Sequence, residues 1–237
     1  MTSRTKVLAF DLYGTLLSTE SIAQQLQSRF PEKASSISSL WRRYQLEYTW
    51  RLNSMGVYEP FSEITRNALL HALAEHEESL NDEDIQSLMN AYDNLSTFPD
   101  VKPTLTQLAS IPTVTAVVFS NGTQSMVSNS VHSSPDLSPH ASVFADLVSV
   151  DSVKQYKPAP AAYHHLAEKV GKTSSELNDI WLVSGNPFDV VGARKVGLSA
   201  IWVDRKGRGW VDAAVPRLRP NVVVNSLEEI VDAIKNA

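Results

Sequence analysis

The sequence predicts an α/β protein with a parallel sheet and helices on both faces of that sheet. Short apolar runs, of a length suited to buried strands, recur along the C-terminal half of the chain. Each run ends in polar residues, and helical stretches separate one run from the next. Such alternation is typical of a parallel sheet, in which ligands bind at the carboxyl ends of the strands.

The first predicted strand lies at residues 7–10, where four apolar residues lead directly into Asp11. A turn containing Gly14 and Thr15 follows, so the sequence places Asp11 at the carboxyl edge of the sheet. A carboxylate there can displace a leaving group and form an ester that water then cleaves, which makes Asp11 a candidate nucleophile. Two residues later stands Tyr13 rather than a second acid, so no adjacent acid can protonate a leaving group.

Four further strands complete the predicted sheet, and two predicted helices lie between them. The strands are predicted at residues 114–119, 179–183, 200–203 and 222–224, and the helices at residues 161–170 and 190–196. Gly171 and Gly197 end the two helices. Residues 128–144 are predicted to form a long loop around Pro135 and Pro139.

Residues 18–98 differ from the rest of the chain because they contain no clear strand. Apolar residues recur at helical spacing over residues 37–52, 61–75 and 82–95. Pro99 and Pro103 mark the return of the chain, and the sheet is predicted to resume near Val101. The pattern predicts a helical cap at residues 18–98, inserted into a core domain formed by residues 1–17 and 99–237.

Composition excludes several classes of function. The chain has 237 residues, a net charge of −5 and no long basic run, so a nucleic-acid partner is not expected. It has no cysteine, which rules out a disulfide, a thiolate nucleophile and a cysteine metal site. The apolar run before Asp11 is too short for a signal sequence or a membrane span. A cytoplasmic protein without a membrane partner is therefore expected.

Four short motifs occur in order along the chain. They are Asp11-Leu12-Tyr13-Gly14-Thr15-Leu16, Ser120-Asn121-Gly122, Lys157-Pro158 and the run from Ser184 to Asp189. Their order resembles that of the haloacid dehalogenase superfamily, and residues 40–50 resemble the cap of its L-2-haloacid dehalogenases. The resemblance covers nearly the whole chain and implies a Rossmann-like core domain with a helical cap.

The resemblance also implies roles for individual residues. Asp11 would be the nucleophile, Thr15 would anchor it, and Lys157 would keep it ionised. Asp189 would help to activate water, while Ser184 and Asn186 would hold Asp189, Lys157 and that water in place. The residues expected to bind the substrate or the halide are Tyr13, Arg42, Leu46, Phe61, Ser120, Asn121, Tyr163 and Phe188.

Within this group, Ser120 and Asn121 would form an anion site for the substrate carboxylate, and Arg42 would receive the departing halide. Tyr163 lies one helical turn beyond the Lys157 loop, where it would either reach the catalytic cluster or pack in the core. Arg43 and Phe188 depart from the family pattern, which typically has Gln and Trp at these positions, and both departures bear on substrate size.

Tyr13 and Gly185 distinguish the reaction class. Superfamily phosphatases place a second Asp at the position of Tyr13 to protonate the leaving alkoxide, whereas a departing halide needs no proton. These phosphatases usually also have an Asp at the position of Gly185 that holds Mg²⁺. With only Asp11 and Asp189 left as hard ligands, a Mg²⁺ site is poorly supplied. The resemblance therefore implies a reaction without a metal or an organic cofactor.

The predicted reaction is hydrolysis of a short L-2-haloalkanoate to the D-2-hydroxy acid, with inversion, through an ester on Asp11. Three alternatives stay open. A related hydrolase could open a strained ring beside a carboxylate, as in azetidine-2-carboxylate; the others are a metal-dependent phosphatase and a binding protein without activity. Family members are often dimers, so a homodimer is a possible state.

Overall fold

The computed structural model describes residues 6–235, and within that range the chain forms one six-stranded sheet. The strands are β1 (Lys6–Phe10), β2 (Val114–Ser120), β3 (Phe144–Ser149), β4 (Ile180–Ser184), β5 (Ser199–Val203) and β6 (Val222–Val224). They are arranged in the order β3-β2-β1-β4-β5-β6, and every pairing is parallel. The predicted α/β fold is confirmed.

Nine α-helices accompany the sheet within residues 6–235. Four follow β1 within residues 18–98: α1 (Ile22–Gln27), α2 (Ala34–Met55), α3 (Phe61–Glu75) and α4 (Asp82–Tyr92). The others are α5 (Val101–Leu108), α6 (Gln124–His132), α7 (Pro160–Lys169), α8 (Pro187–Val196) and α9 (Ile230–Lys235). Over the same range, none of the helices is long and apolar enough to cross a membrane.

The core of the molecule is built around β1, the strand that precedes Asp11. Ala9 in β1 is paired with Val117 of β2 on one side and with Leu182 of β4 on the other. All three side chains are buried. The strand order reverses on the two sides of β1, and a ligand site is expected where this reversal opens a crevice at the carboxyl ends. The sheet therefore brings the predicted motifs to a single edge.

Helices α1 to α4 form an insertion that leaves and rejoins the sheet at one point. The backbone N–H of Ser18 donates to the carbonyl of Ser96 at 2.8 Å, and that of Phe98 donates to Leu16 at 3.1 Å. We call residues 18–98 the helical insertion. Its description as a separate cap domain, with the boundaries given above, stays a prediction.

Most element predictions are confirmed to within a few residues, and the helix at residues 61–75 is α3 itself. Two predictions are wrong. The sheet does not resume near Val101, because residues 101–108 form helix α5, in which Pro103 falls within the first turn, where a missing N–H is tolerated. The predicted loop at residues 128–144 contains the end of α6 and a 3₁₀ helix, Ser138–Val143, and it runs directly into β3.

Candidate active site

Asp11 lies at the carboxyl end of β1, where donors from three of the four motifs surround its carboxylate. Oδ2 accepts hydrogen bonds from Thr15 Oγ1 at 2.7 Å, from Asn186 Nδ2 at 2.7 Å and from Ser184 Oγ at 3.4 Å. Oδ1 accepts one from Lys157 Nζ at 3.1 Å. Asp11 is itself buried. A buried carboxylate with this many donors is held in one orientation.

The ammonium group of Lys157 lies between two carboxylates. Its Nζ atom is 3.1 Å from Asp11 Oδ1 and 2.9 Å from Asp189 Oδ2, and it also donates to the carbonyl of Phe119 at 2.7 Å. Burial alone would lower the pKa of Lys157, but the two carboxylates outweigh that effect and raise the pKa. The lysine is therefore the resident cation of this site.

Asp189 is completely buried and is held by Lys157 and Tyr163. The Tyr163 hydroxyl donates to Asp189 Oδ1 at 2.7 Å, on the side of the carboxylate opposite Lys157. Burial raises the pKa of Asp189 above its usual range, while the charge of Lys157 acts in the opposite direction. Ser184 and Asn186 were predicted to hold Asp189, but their side chains bind Asp11 instead.

Tyr163 reaches Asp189 because helix α8 has a glycine where α7 crosses it. A Cβ atom at Gly192 would lie 2.3 Å from the Tyr163 hydroxyl oxygen and 2.7 Å from Pro158 Cβ. No side chain fits in that space. The sequence predicted that Tyr163 binds the substrate or the halide. In the structure its hydroxyl donates a hydrogen bond to the Asp189 carboxylate instead.

A small cavity adjoins Asp11 and measures about 10 Å³. It is lined by Asp11, Tyr13, Arg42, Leu46, Phe61, Asn121, Lys157, Asn186 and Phe188, all of which the sequence placed at the site. A cavity of this size holds about one water molecule. Ser120 lies deeper, completely buried, with its hydroxyl accepting from the Gly122 N–H at 3.0 Å, while the Asn121 carboxamide accepts from the Lys157 N–H at 2.9 Å.

Arg42 enters the cavity from helix α2 and is oriented by a residue that the sequence reasoning missed. Its guanidinium donates to Gln45 Oε1 at 2.6 Å and to the carbonyl of Tyr13 at 3.2 Å. Gln45 is completely buried, accepts from the Tyr92 hydroxyl at 2.9 Å and donates to Thr65 Oγ1 at 2.7 Å. The spacing of three residues from Arg42 on a helix was the available signal.

Neighbouring Arg43 departs from the family pattern without entering the site. It is exposed, and its guanidinium lies 5.4 Å from the centre of the Tyr44 ring. Phe188, the other departure, does line the cavity, and its ring meets the edge of the Trp50 ring at 5.4 Å and an angle of 72°.

Tyr13 forms an apolar wall of the cavity. Its ring stacks against Phe61 at 5.8 Å and lies 5.5 Å from the ring of Tyr92. Its hydroxyl is buried, with no hydrogen-bond partner among residues 6–235. Burial raises the pKa of Tyr13 far above its ordinary value, so the side chain stays neutral. A substrate carbon next to Asp11 would therefore face an uncharged aromatic surface on this side.

The residues at this sheet edge do not fit a Mg²⁺ ion of the kind that related phosphatases use. Gly185 supplies no carboxylate, and a Cβ there would lie 2.6 Å from the carbonyl oxygen of Gly14. Both Asp11 and Asp189 are bound to the Lys157 ammonium, which fills the position between them. Mg²⁺ requires near-octahedral oxygen ligands, and a fixed ammonium at their centre repels a second cation.

Comparison with known proteins agrees with this geometry. The family model for haloacid dehalogenase-like hydrolases matches residues 5–197, and the chain therefore belongs to that family. It is similar to haloacetate dehalogenase H-2 from Moraxella sp. (strain B), with 36% identity over 85% of this chain and 87% of the relative. It is also similar to (S)-2-haloacid dehalogenase 2 from Pseudomonas sp. (strain CBS-3), with 34% identity over 94% of this chain and 93% of the relative.

Solved structures give the same result. The L-2-haloacid dehalogenase of Xanthobacter autotrophicus, with chloropropionic acid covalently bound, has a TM-score of 0.84 and 28% identity to this chain. That comparison covers 97% of this chain and 98% of the other. The resemblance to L-2-haloacid dehalogenases inferred from the four motifs and residues 40–50 is confirmed.

Proposed function

We propose that this protein hydrolyses the carbon–halogen bond of short L-2-haloalkanoic acids, with Asp11 as the nucleophile. The observation that carries the proposal is the pairing of a rigidly oriented Asp11 carboxylate with a neutral aromatic wall at Tyr13. The carboxylate can attack carbon, and Tyr13 stands where superfamily phosphatases have the second Asp that protonates a leaving alkoxide. The names of the relatives, which are dehalogenases of haloacetate and 2-haloacids, support the same substrate class.

In the first step, an oxygen of Asp11 forms a bond to C2 and the carbon–halogen bond breaks, with the electron pair leaving on the halide. Oδ2 is occupied by Thr15, Asn186 and Ser184, whereas within the described residues only Lys157 donates to Oδ1. Oδ1 is therefore the oxygen with a lone pair available for attack. Attack from the face opposite the halogen inverts C2.

Arg42 is the group placed to receive the halide. Its guanidinium lines the cavity, and Gln45 and the Tyr13 carbonyl fix its direction. A fixed positive charge beside the leaving atom stabilises charge that develops only in the transition state. Asn121, which also lines the cavity, would bind the substrate carboxylate together with backbone groups after β2.

In the second step, water attacks the carbonyl carbon of the Asp11 ester. Asp189 accepts a proton from that water, and the bond between the carbonyl carbon and the ester oxygen breaks. The oxygen that Asp11 supplied leaves with the 2-hydroxy acid and takes the proton from Asp189 to form the hydroxyl group. The water oxygen stays on Asp11, whose new carboxyl group loses the second water proton and is again a carboxylate. Lys157 lies between Asp11 and Asp189 in the free protein and balances the negative charge of both carboxylates; once Asp11 is an ester, it pairs with Asp189. Neither step requires a metal ion or an organic cofactor.

Isotope labelling tests this mechanism directly. The protein is incubated with (S)-2-chloropropionate in ¹⁸O-water for many turnovers, and peptides containing Asp11 are analysed by mass spectrometry. The ester route predicts that ¹⁸O enters the Asp11 carboxylate and that the product is D-lactate. Label absent from Asp11 despite turnover would mean that water attacks the substrate directly, and Mg²⁺-dependent phosphate release without dehalogenation would identify a phosphatase.

Two variants complete the test. Asp11→Asn keeps the size of the side chain but removes the nucleophile, and it should release no chloride above background. Asp146→Asn is the matched control because Asp146 is exposed on β3. It should retain the wild-type rate.

A further inference from the structure

One face of helix α2 lies across the cavity and contacts the sheet side at four positions. Arg42, Leu46, Trp50 and Asn53 follow one another at intervals of four, four and three residues, which places them in one stripe along the helix. Arg42 and Leu46 line the cavity, and Trp50 packs on Phe188. The last member of the stripe, Asn53, has no role assigned above.

The carboxamide of Asn53 makes two hydrogen bonds to the backbone of a single residue. Its Nδ2 atom donates to the carbonyl of Tyr156 at 2.6 Å, and its Oδ1 atom accepts from the N–H of Tyr156 at 2.9 Å. Tyr156 immediately precedes Lys157, whose own N–H donates to Asn121. The backbone amides of Tyr156 and Lys157 are thus both hydrogen-bonded. Asn53 of the insertion binds the first, and Asn121 at the sheet edge binds the second.

The same contact is reinforced by the Tyr156 side chain, which is completely buried. Its ring stacks on Tyr58 at 5.3 Å and lies 6.0 Å from Phe61, and its hydroxyl donates to the backbone carbonyl of Glu59. The chain from Asn53, near the end of α2, to Phe61, at the start of α3, therefore packs on the loop that carries Lys157.

From these contacts we propose that Asn53 is a positioning residue, which couples closure of the helical insertion over the cavity to placement of the Lys157 ammonium between Asp11 and Asp189. The cavity of about 10 Å³ is smaller than a haloacid, so the groups that line it, among them Arg42 and Leu46 of α2, must move apart for a substrate to enter. When α2 moves, Asn53 leaves Tyr156, and when α2 returns it fixes the lysine loop again. The catalytic consequence rests on the proposed function.

A purely structural role would give a different result. Losing two hydrogen bonds at a partly exposed helix end would lower stability but leave the lysine in place. If Asn53 positions Lys157, its loss also weakens the charge that Lys157 exerts on Asp189. The groups that face the Asp189 carboxylate are Lys157, Tyr163 and Asp11. A less well placed lysine would let the pKa of Asp189 rise, because burial and Asp11 both act in that direction.

The test compares Asn53→Ala with Asn67→Ala, an exposed control on α3 that makes no side-chain hydrogen bond within residues 6–235. Chloride release from (S)-2-chloropropionate, amide hydrogen exchange at Lys157, and the NMR titration of the Asp189 carboxyl are measured for both. We expect Asn53→Ala to lower kcat by about 10- to 100-fold, a loss typical of a displaced catalytic group. Exchange at Lys157 should become faster and the Asp189 pKa should rise, whereas Asn67→Ala should match the wild type.

Unchanged exchange at Lys157 together with an unchanged Asp189 pKa in Asn53→Ala would overturn the inference, whatever happens to stability. If Asn53→Ala does not fold, Asn53→Ser replaces it, since the shorter side chain also loses both contacts. The exchange and titration need no substrate. A wild-type protein that releases no halide would therefore contradict the proposed function, while these two measurements would still decide the role of Asn53.

Discussion

The Nζ atom of Lys157 lies 2.9 Å from Asp189 Oδ2, and both side chains are almost completely buried. A buried ion pair is held by mutual attraction against a large desolvation cost, so removing one partner leaves the other charge without compensation. Lys157 also contacts Asp11, so its loss would leave two carboxylates facing each other. This arrangement makes Lys157 important for both folding and catalysis.

We therefore expect Lys157→Met to lower the free energy of unfolding by about 3–5 kcal/mol, the range found when buried ion pairs are broken. Halide release should fall by at least about 100-fold, because Asp11 would lose the ammonium that orients its Oδ1 atom and would face Asp189 directly. Urea unfolding and a chloride electrode measure the two effects. Lys169→Met, at the exposed end of α7, is the control and should change neither. Wild-type activity in Lys157→Met would contradict the proposed role.

The pH dependence of the reaction should report the Asp189 carboxyl. Asp189 can accept a proton from water only when it is ionised, and burial raises its pKa above the usual range. The pKa of an exposed Asp side chain is about 3.9. As the pH falls, the Asp189 carboxyl is therefore protonated at a higher pH than an exposed Asp. We expect kcat for chloride release to decline on the acid side with a midpoint above that value. A midpoint at or below it, with the protein still folded, would contradict this assignment.

In Tyr163→Phe, the midpoint of the decline of kcat at acid pH should move to still higher pH. The Tyr163 hydroxyl donates to Asp189 Oδ1 and so favours the ionised carboxylate. Removing it raises the Asp189 pKa while the aromatic ring still fills its place beside Gly192. The same pH series measures the shift. Tyr44→Phe, on α2, is the matched control and should keep the wild-type profile; an unshifted midpoint in Tyr163→Phe would exclude this role.

Local signals predicted most of the sheet, and what they missed has a physical reason. β3, Phe144–Ser149, was missed because it is an edge strand whose exposed Ala145 and Asp146 interrupt the apolar pattern. α6, Gln124–His132, was hidden by serines and an asparagine, which have weak helix propensity, although Met126 and Val131 are buried. In both cases tertiary packing outweighs local preference.

The site was predictable to the extent that its residues lie in ordered motifs at strand ends. Asp11, Lys157 and Asp189 meet because parallel strands bring their carboxyl ends to one edge. The contact between Asn53 and the loop that carries Lys157 was not predictable. Asn53 is separated from Tyr156 by 103 residues, and no local pattern of the sequence encodes that pairing.

Gln45→Leu should weaken the site through Arg42. The buried carboxamide of Gln45 accepts from Arg42 and Tyr92, and an apolar side chain leaves both donors unpaired. We expect a loss of about 1–3 kcal/mol in stability, typical of unpaired buried polar groups. We also expect about a 10-fold or larger fall in kcat/KM, because the halide site is displaced. Thermal unfolding and chloride release measure these. Gln86→Leu, exposed on α4, should leave kcat/KM unchanged, and an equal loss in both variants would rule out the link.

Gly185→Ala tests whether this position tolerates any side chain. Its Cβ would lie 2.6 Å from the Gly14 carbonyl oxygen, so the turn after Asp11 must shift. The Gly185 N–H also donates to Thr15 Oγ1 at 2.9 Å, and Thr15 in turn binds Asp11. We expect kcat to fall by about 10- to 100-fold and stability by about 1–3 kcal/mol.

The control for this variant is Gly207→Ala. Gly207 has a φ angle of 61° and no atom within 4 Å of a Cβ placed there, so only backbone strain is added. That strain costs about 1–2 kcal/mol and should leave kcat unchanged. Comparing the two variants separates general strain from displacement of Asp11. Wild-type kcat in Gly185→Ala would show that the turn can move without disturbing the nucleophile, and the absence of a side chain at position 185 would then need another explanation.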